Sequence, residues 1–175
     1  MKEQHHPSKQ LKKGGVPWKL RYHIKPEDIE YLTHLHGLLY AKEYGYDQTF
    51  EAYVKSGLSE FVRSFHLDRD RLWVAEVDDH IIGTIAIVGY LKGEAQLRWF
   101  LVHPEYRGRG LGRKLIKVAL SFCKRHKYRT IFLWTTSELD TARHLYASAG
   151  FRKTDEKTHV IWGKTVTEER YALQM

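Results

Sequence analysis

One cysteine, Cys123, is all the thiol that 175 residues contain. A single thiol closes no internal disulfide, so the chain must rely on an apolar core, and a reducing compartment suits it. Cys123 follows Leu111, Leu115, Val118, Ala119 and Phe122 at helical spacing, which reads it as a core thiol rather than a reactive one. No stretch approaches the roughly 18 consecutive apolar residues of a membrane span. The opening MKEQHHPSKQLKKGG lacks the apolar segment of a secretory signal. Export and a membrane partner are therefore not expected, and the cytoplasm is the expected location. Metal-ligand spacing is missing too: eleven histidines include no HExxH pair, and His34 and His36 lie two apart on a helical stretch, pointing in different directions. No metal is expected.

What the chain does have is aromatic bulk, with 5 Trp, 11 Tyr and 7 Phe in a composition that is 42% hydrophobic. That is enough for one sizeable core and short for two. Residues 1–17 are polar, basic and without apolar periodicity, which predicts a flexible tail ahead of one domain over 18–175. The net charge is +8, and its location matters more than its size. Between Glu105 and Arg129 stand nine Lys or Arg and a single acid, while the rest of the chain is balanced at 20 basic and 20 acidic groups. The excess is thus confined to one segment, as a polyanion site or as a solvated helix face. With no helix-turn-helix signature and no further basic region, nucleic acid is not an expected partner.

Trp18–His23 reads as a strand. Pro26 then suits the first turn of a helix carrying Ile29, Leu32, Leu35 and Leu39, closed by Gly45. A second helix follows, from Phe50 to Phe65, with Thr49 as its cap. RLWVAEV from Arg71 and IIGTIAIVGYL from Ile81 predict two strands around a hairpin turn at Asp78-Asp79-His80. AQLRWFLV after Gly93 gives a third. Next come a helix from Leu111, a buried strand TIFLWTT, a helix over Leu139–Ala149 ended by Gly150, and HVIWGKTV from His159 as a final strand, with room for a short one after Phe151. The fold class is α/β (α+β), with a mostly antiparallel sheet.

The most informative stretch is Arg107-Gly108-Arg109-Gly110-Leu111-Gly112. A strand, a short loop, three alternating glycines and a helix aim free backbone N–H groups at an anion, phosphate above all. The helix dipole adds about half a positive charge there, and Arg107, Arg109 and Arg113 add more. A Walker loop is excluded because GxxxxGK is absent, and a dinucleotide fingerprint because Arg113 stands at the third glycine position.

The pattern that fits is R/QxxGxG/A over Arg107, Gly110 and Gly112, which resembles the pyrophosphate loop of the GNAT N-acetyltransferase superfamily. A second segment, Ala142-Arg143-His144-Leu145-Tyr146-Ala147-Ser148-Ala149-Gly150-Phe151, resembles that superfamily's AxxLYxxxGF pattern. The likeness covers about residues 18–166. HGLLYAKEYGYDQTFEAYV, LRWFLVHPEYRGRGLGRKL and FLWTTSELDTARHLYASAGF are similar to the acetyltransferase half of bacterial fusions with a MarR-type DNA-binding domain, though no such second domain stands in these residues.

The resemblance implies a GNAT fold, with a central sheet of six to seven strands flanked by about four helices. It implies direct transfer from acetyl-CoA to a primary amine of a small molecule, amino acid or peptide. Leu101 or Val102 would supply a backbone N–H to the acetyl carbonyl, and residues 107–113 with Ala142 would hold the cofactor. The Tyr146 hydroxyl would protonate the departing thiolate, unless Tyr146 is a core aromatic. Gln96 stands where some relatives carry a glutamate base, leaving Glu94, Glu76, Glu43 or water as proton acceptors. Tyr40, Tyr44 and Arg98 are candidate acceptor contacts, with Arg98 on the strand face opposite Leu97 and Trp99. Arg98 could pair with a substrate carboxylate or with a structural acid. A non-catalytic acyl-CoA sensor is the alternative, because Leu139 replaces an Asn common among relatives. A homodimer is the one protein partnership left open.

Overall fold

The computed structural model describes residues 17–175, so the tail expected over the first residues lies outside the described part. Among the described residues the elements run β1 (Lys19–Arg21), α1 (Asp28–Tyr44), α2 (Gln48–Arg63), β2 (Arg71–Val77), β3 (His80–Gly89), β4 (Glu94–Val102), α3 (Leu111–Arg125), β5 (Thr130–Thr136), α4 (Asp140–Ser148), β6 (Arg152–Ile161) and β7 (Lys164–Gln174). The strands make one sheet in the order β1-β2-β3-β4-β5-β7-β6. Every neighbouring pair is antiparallel except β4 with β5.

The two faces of the sheet are buried by different helices. On one, Leu111, Leu115, Ala119 and Phe122 of α3 pack with Ile85, Ile87, Leu97, Ile131 and Leu133. On the other, Leu32 of α1 and Phe50, Val54, Leu58 and Phe61 of α2 pack with Leu72, Val74 and Trp99. Side chains as completely enclosed as Leu32, Leu58 and Leu115 each contribute about 2 kcal/mol through burial. Coverage on both sides explains why β2 and β3 read as nearly continuous apolar runs rather than alternating ones.

Three details differ from the sequence reading. β1 is only Lys19–Arg21, shorter than the expected 18–23, and its Arg21 is spent on a buried fork to Asp28 and Glu76. The cap of α2 is Asp47, whose carboxylate accepts from the Thr49 N–H at 2.9 Å, so Thr49 is the second helical residue and not the cap. HVIWGKTV is not one strand but the end of one hairpin arm, its turn and the start of the next. Trp162 (φ 54°) and Gly163 (φ 80°) form the turn between β6 and β7, with the positive φ pair that a two-residue hairpin demands. Most of β6 is exposed at the sheet edge, so RKTDEKTH carries no alternation to betray it.

Candidate active site

The parallel pair, one among the described residues, creates the site. β4 and β5 are paired only over Glu94–Gln96 against Thr130–Phe132, although the strands continue to Val102 and Thr136. Beyond that point they part, and a cleft opens between them. One chamber is lined by residues of α1, α2, β4, β5 and α4, including Arg98, Trp134, Thr135 and Tyr146. A second runs from Tyr40 and Phe100 to Arg107, Gly108 and Gly112. Tyr40, Phe100 and Leu139 line both, so the two chambers adjoin.

A bulge in β4 sets which side chains face which chamber. Thr84 lies opposite Leu101 but Ala86 opposite Arg98, so Trp99 and Phe100 together oppose Ile85. Trp99 absorbs the extra residue at φ 46°, a left-handed conformation that a bulky residue adopts only under tertiary constraint. The bulge reverses the alternation: Leu97 belongs to the α3 core, whereas Trp99 joins the α1/α2 core. The expectation for Arg98 is thereby corrected. It is opposite Leu97 but shares the face of Trp99, its guanidinium 4.4 Å from the indole centroid. Gly57 of α2 makes room, since a Cβ there would come within 3.0 Å of the Arg98 guanidinium.

The backbone beyond the bulge also has a direction. His103 donates to Ile82 O at 2.8 Å, toward β3. Alternation then turns Leu101 toward β3 and Val102 toward the cleft, and Val102 O indeed accepts from Arg107 Nε at 3.0 Å on that side. Of the two residues expected to offer a backbone N–H, Val102 is the one so placed and Leu101 is not. The Leu101 side chain packs with Leu35 and Leu39 instead.

At the far end of the cleft, Gly108 (φ 73°) and Gly110 (φ 81°) turn the loop into α3, and nothing lies within 4 Å of a Cβ built at either. Among the described residues no side chain caps α3. Its first N–H groups are therefore free for an outside acceptor. Leu111 is buried in the α3 core and can contribute only main chain. Arg109 lies over the Tyr106 ring at 5.6 Å. Arg113, expected beside the loop cleft, lines a groove along α3 with Lys117 and Lys124. The open cradle of backbone N–H groups suits an anion such as a diphosphate.

Arg107 does not reach into the cradle with its charge. Its guanidinium makes a bidentate pair with Glu43 at 2.8 and 2.9 Å, and that partner raises its affinity for the proton further. Tyr44, expected beside Arg98, sits with Glu43 and Arg107 in the loop-side chamber. The expected grouping of Tyr40, Tyr44 and Arg98 is thus split, and Tyr40 bridges the two parts. Its ring stacks on Phe50 at 4.4 Å.

Tyr146 is buried, with Phe100 at 5.8 Å and Phe151 at 6.1 Å between ring centroids. It is a core aromatic and a cleft residue at once. Burial, with Tyr40 nearby, pushes its phenol well above the usual range, and no hydrogen bond contributes to that shift. Of the candidate proton acceptors, Glu76 is locked to Arg21 and Lys25, Glu94 lies at the closed end where β4 meets β5, and Glu43 is held by Arg107. None is a free carboxylate in the chamber of Arg98 and Tyr146.

Sequence reasoning passed over several residues that line that chamber: His36, Trp134, Thr135, Trp162 and Glu168. His36 could have been found, being four residues after Leu32 and one after Leu35 on the apolar face of α1. Trp162 and Glu168 could not, because the hairpin that carries them was misread.

Comparison with known proteins adds an independent finding. The sequence profile of the Acetyltransferase (GNAT) family matches residues 31–151. Human N-acetyltransferase 8B is 29% identical over 99 residues, 54% of this chain but only 44% of that protein's length. The spermidine N(1)-acetyltransferase of Escherichia coli is 26% identical over 141 residues, 78% of this chain and 74% of that one. Spermidine N-acetyltransferase from Vibrio cholerae, solved with CoA and spermine, superposes with a TM-score of 0.68 over 90% of this chain and 95% of its own at 21% identity, a likeness of fold.

Proposed function

The chain belongs to the Acetyltransferase (GNAT) family, and from that premise we propose that residues 18–175 form one domain that transfers an acetyl group from acetyl-CoA to a primary amine. The observation that carries the reading is a continuous cleft from the uncapped N-terminus of α3 to the Tyr146 chamber. Acetyl-CoA, when bound, supplies a thioester whose sulfur is a good leaving group. Gly108, Gly110 and the first turn of α3 hold its phosphates with backbone N–H groups. Val102 offers a backbone N–H on the cleft side, suited to a developing oxyanion. The Tyr146 hydroxyl, kept protonated by burial, donates its proton to the sulfur as the C–S bond breaks, and the phenolate takes up the proton that the nitrogen sheds on forming the C–N bond.

The acceptor side is aromatic, with Tyr40, Phe50, Tyr53, Trp134 and Trp162, and it contains Arg98 together with Glu168, whose carboxylate is already engaged by His159 and Lys157. Among the described residues no carboxylate lies within ion-pair distance of Arg98, whose polar contact is the Tyr53 hydroxyl at 3.5 Å. An unpaired guanidinium in the wall opposes a polycation and favours an amine that also bears a carboxylate. The acceptor is therefore read as an amino acid or peptide rather than a polyamine, unlike the acceptor for which the Escherichia coli relative is named.

The test is thiol release from acetyl-CoA against a panel of amino acids, short peptides and polyamines. Release with a carboxylate-bearing amine and not with spermidine is expected. The lack of a free carboxylate base in the chamber supports one other reading, an acyl-CoA sensor. It would show acetyl-CoA binding by thermal shift with no thiol release on any amine.

A further inference from the structure

His36 is 3% exposed and lines the Arg98 chamber. Its Nδ1 lies 2.7 Å from Leu32 O, one turn back along α1. A carbonyl only accepts, so Nδ1 carries the proton and Nε2 of the neutral ring presents a lone pair. Nε2 is buried and has no partner among the described residues. Thr135 Oγ1, reaching the same chamber from β5, is a second buried polar atom without one. Buried acceptors are almost always satisfied, and two exceptions in one chamber ask for a ligand that satisfies them. Thr33 and Arg71 hold the other unpartnered atoms, and neither residue lines this chamber.

We propose that His36 Nε2 accepts an N–H of the acceptor amine and so aims its lone pair into the cleft, with Thr135 Oγ1 as a second polar contact for the same acceptor. This rests on the acetyltransfer reading and adds to it the group that orients the nucleophile. A primary amine suits the task because it keeps N–H groups to donate while its lone pair attacks. The ring stacks against Tyr40 with centroids 6.2 Å apart and planes 17° from parallel, which fixes its orientation. Burial holds the imidazole neutral, its pKa pushed down to about 4, so Nε2 remains an acceptor at neutral pH. The other titratable groups lining the chamber are Tyr40, Tyr53, Arg98, Tyr146 and Glu168. Glu168 is engaged by His159 at 2.6 Å and Lys157 at 3.4 Å, which leaves His36 Nε2 and Thr135 Oγ1 as the fully buried side-chain acceptors there with no partner among the described residues.

The experiment uses the full chain with acetyl-CoA and the best amine found for it. His36→Leu should raise the KM for that amine about tenfold, the size expected for one buried hydrogen bond left unmade, with the CoA dissociation constant unchanged. His36→Gln, which places an amide group near the lost Nε2, should recover most of that loss. A leucine variant within twofold of the parent, or a glutamine variant no better than leucine, overturns the proposal. Wild-type protein labelled with 15N-histidine gives a readout that needs no folded variant and no turnover. With CoA bound, titration with the amine should move the Nε2 signal of His36 upfield, as acceptance of a hydrogen bond requires. A signal that stays fixed at saturating amine overturns it, even where thiol release shows acetyltransfer itself to be correct.

Discussion

Arg107 and Glu43 meet in a two-pronged ion pair, at 2.8 and 2.9 Å, that ties the glycine loop to the last turn of α1. The arginine most readily read as a phosphate ligand is thereby a strap, and its Nε on Val102 O draws the end of β4 into the same knot. The pair is partly exposed, at 42% and 24% of the side chains, so after solvent screening it is worth about 1 kcal/mol. Arg107→Ala and Glu43→Gln should each weaken CoA binding by a similar factor of about three to ten, and the double variant should cost no more than either alone. Calorimetric titration with CoA decides it: a large loss for Arg107→Ala beside none for Glu43→Gln would mean that the guanidinium leaves Glu43 for the phosphates.

Removing the Tyr146 hydroxyl should separate chemistry from binding. Tyr146→Phe preserves the contacts to Phe100 and Phe151 and should lower kcat by about 10²-fold or more, with CoA affinity within a factor of two. Because burial raises the phenol above its usual 10, the rate of the parent protein should show no loss from tyrosine ionisation up to pH 10. Equal losses in kcat and CoA affinity would reduce Tyr146 to packing.

For Arg98 the expected signature lies in the acceptor alone. Arg98→Ala should raise the KM of a carboxylate-bearing amine by about tenfold or more, as loss of a charge-assisted pair does. The amide of the same amine should be affected less than threefold. Arg98→Lys should recover only part, because an ammonium lacks the planar fork. Identical losses for acid and amide would dismiss the carboxylate contact.

His36 makes stability depend on pH in a predictable sense. The unfolded chain takes up this proton near 6.5 and the folded chain only near 4, so the unfolded state binds more protons between those values. Stability is whole above pH 6.5 and falls as the pH drops from 6.5 to 4, by about 3 kcal/mol in total, with no further loss from this group below 4. Carboxylates titrate in the same region, so the comparison is with His36→Gln. Urea unfolding at pH 7 and pH 4.5 should show a smaller drop for the variant than for the parent, and equal drops would place the imidazole in water.

Much was legible in the sequence because it is local. The apolar spacing of Leu32, Leu35 and Leu39 or of Leu111, Leu115 and Ala119 marks a helix whatever its surroundings. Asp78-Asp79, with φ 47° and 61°, turns a hairpin by its own backbone preferences. The glycines at 108 and 110 mark a loop that turns at positive φ and lies open, as their spacing announces. Tyr146 was readable through its place before Gly150-Phe151.

Other features were settled in three dimensions. An edge strand such as β6 needs no buried face, so its residues carry no period. A bulge is a mismatch between two strands, and nothing within β4 alone says that Trp99 will take a positive φ and turn beside Arg98. The strap between Glu43 and Arg107 joins residues 64 apart, and the vacant valence of His36 exists only because α1, α2 and the parted strands enclose it. The sequence by itself determined which elements form and which loop is open to an anion, since those follow from near neighbours. The tertiary structure decided which charges are already spent and which polar atoms still lack a partner, since both depend on groups that only the folded chain brings together.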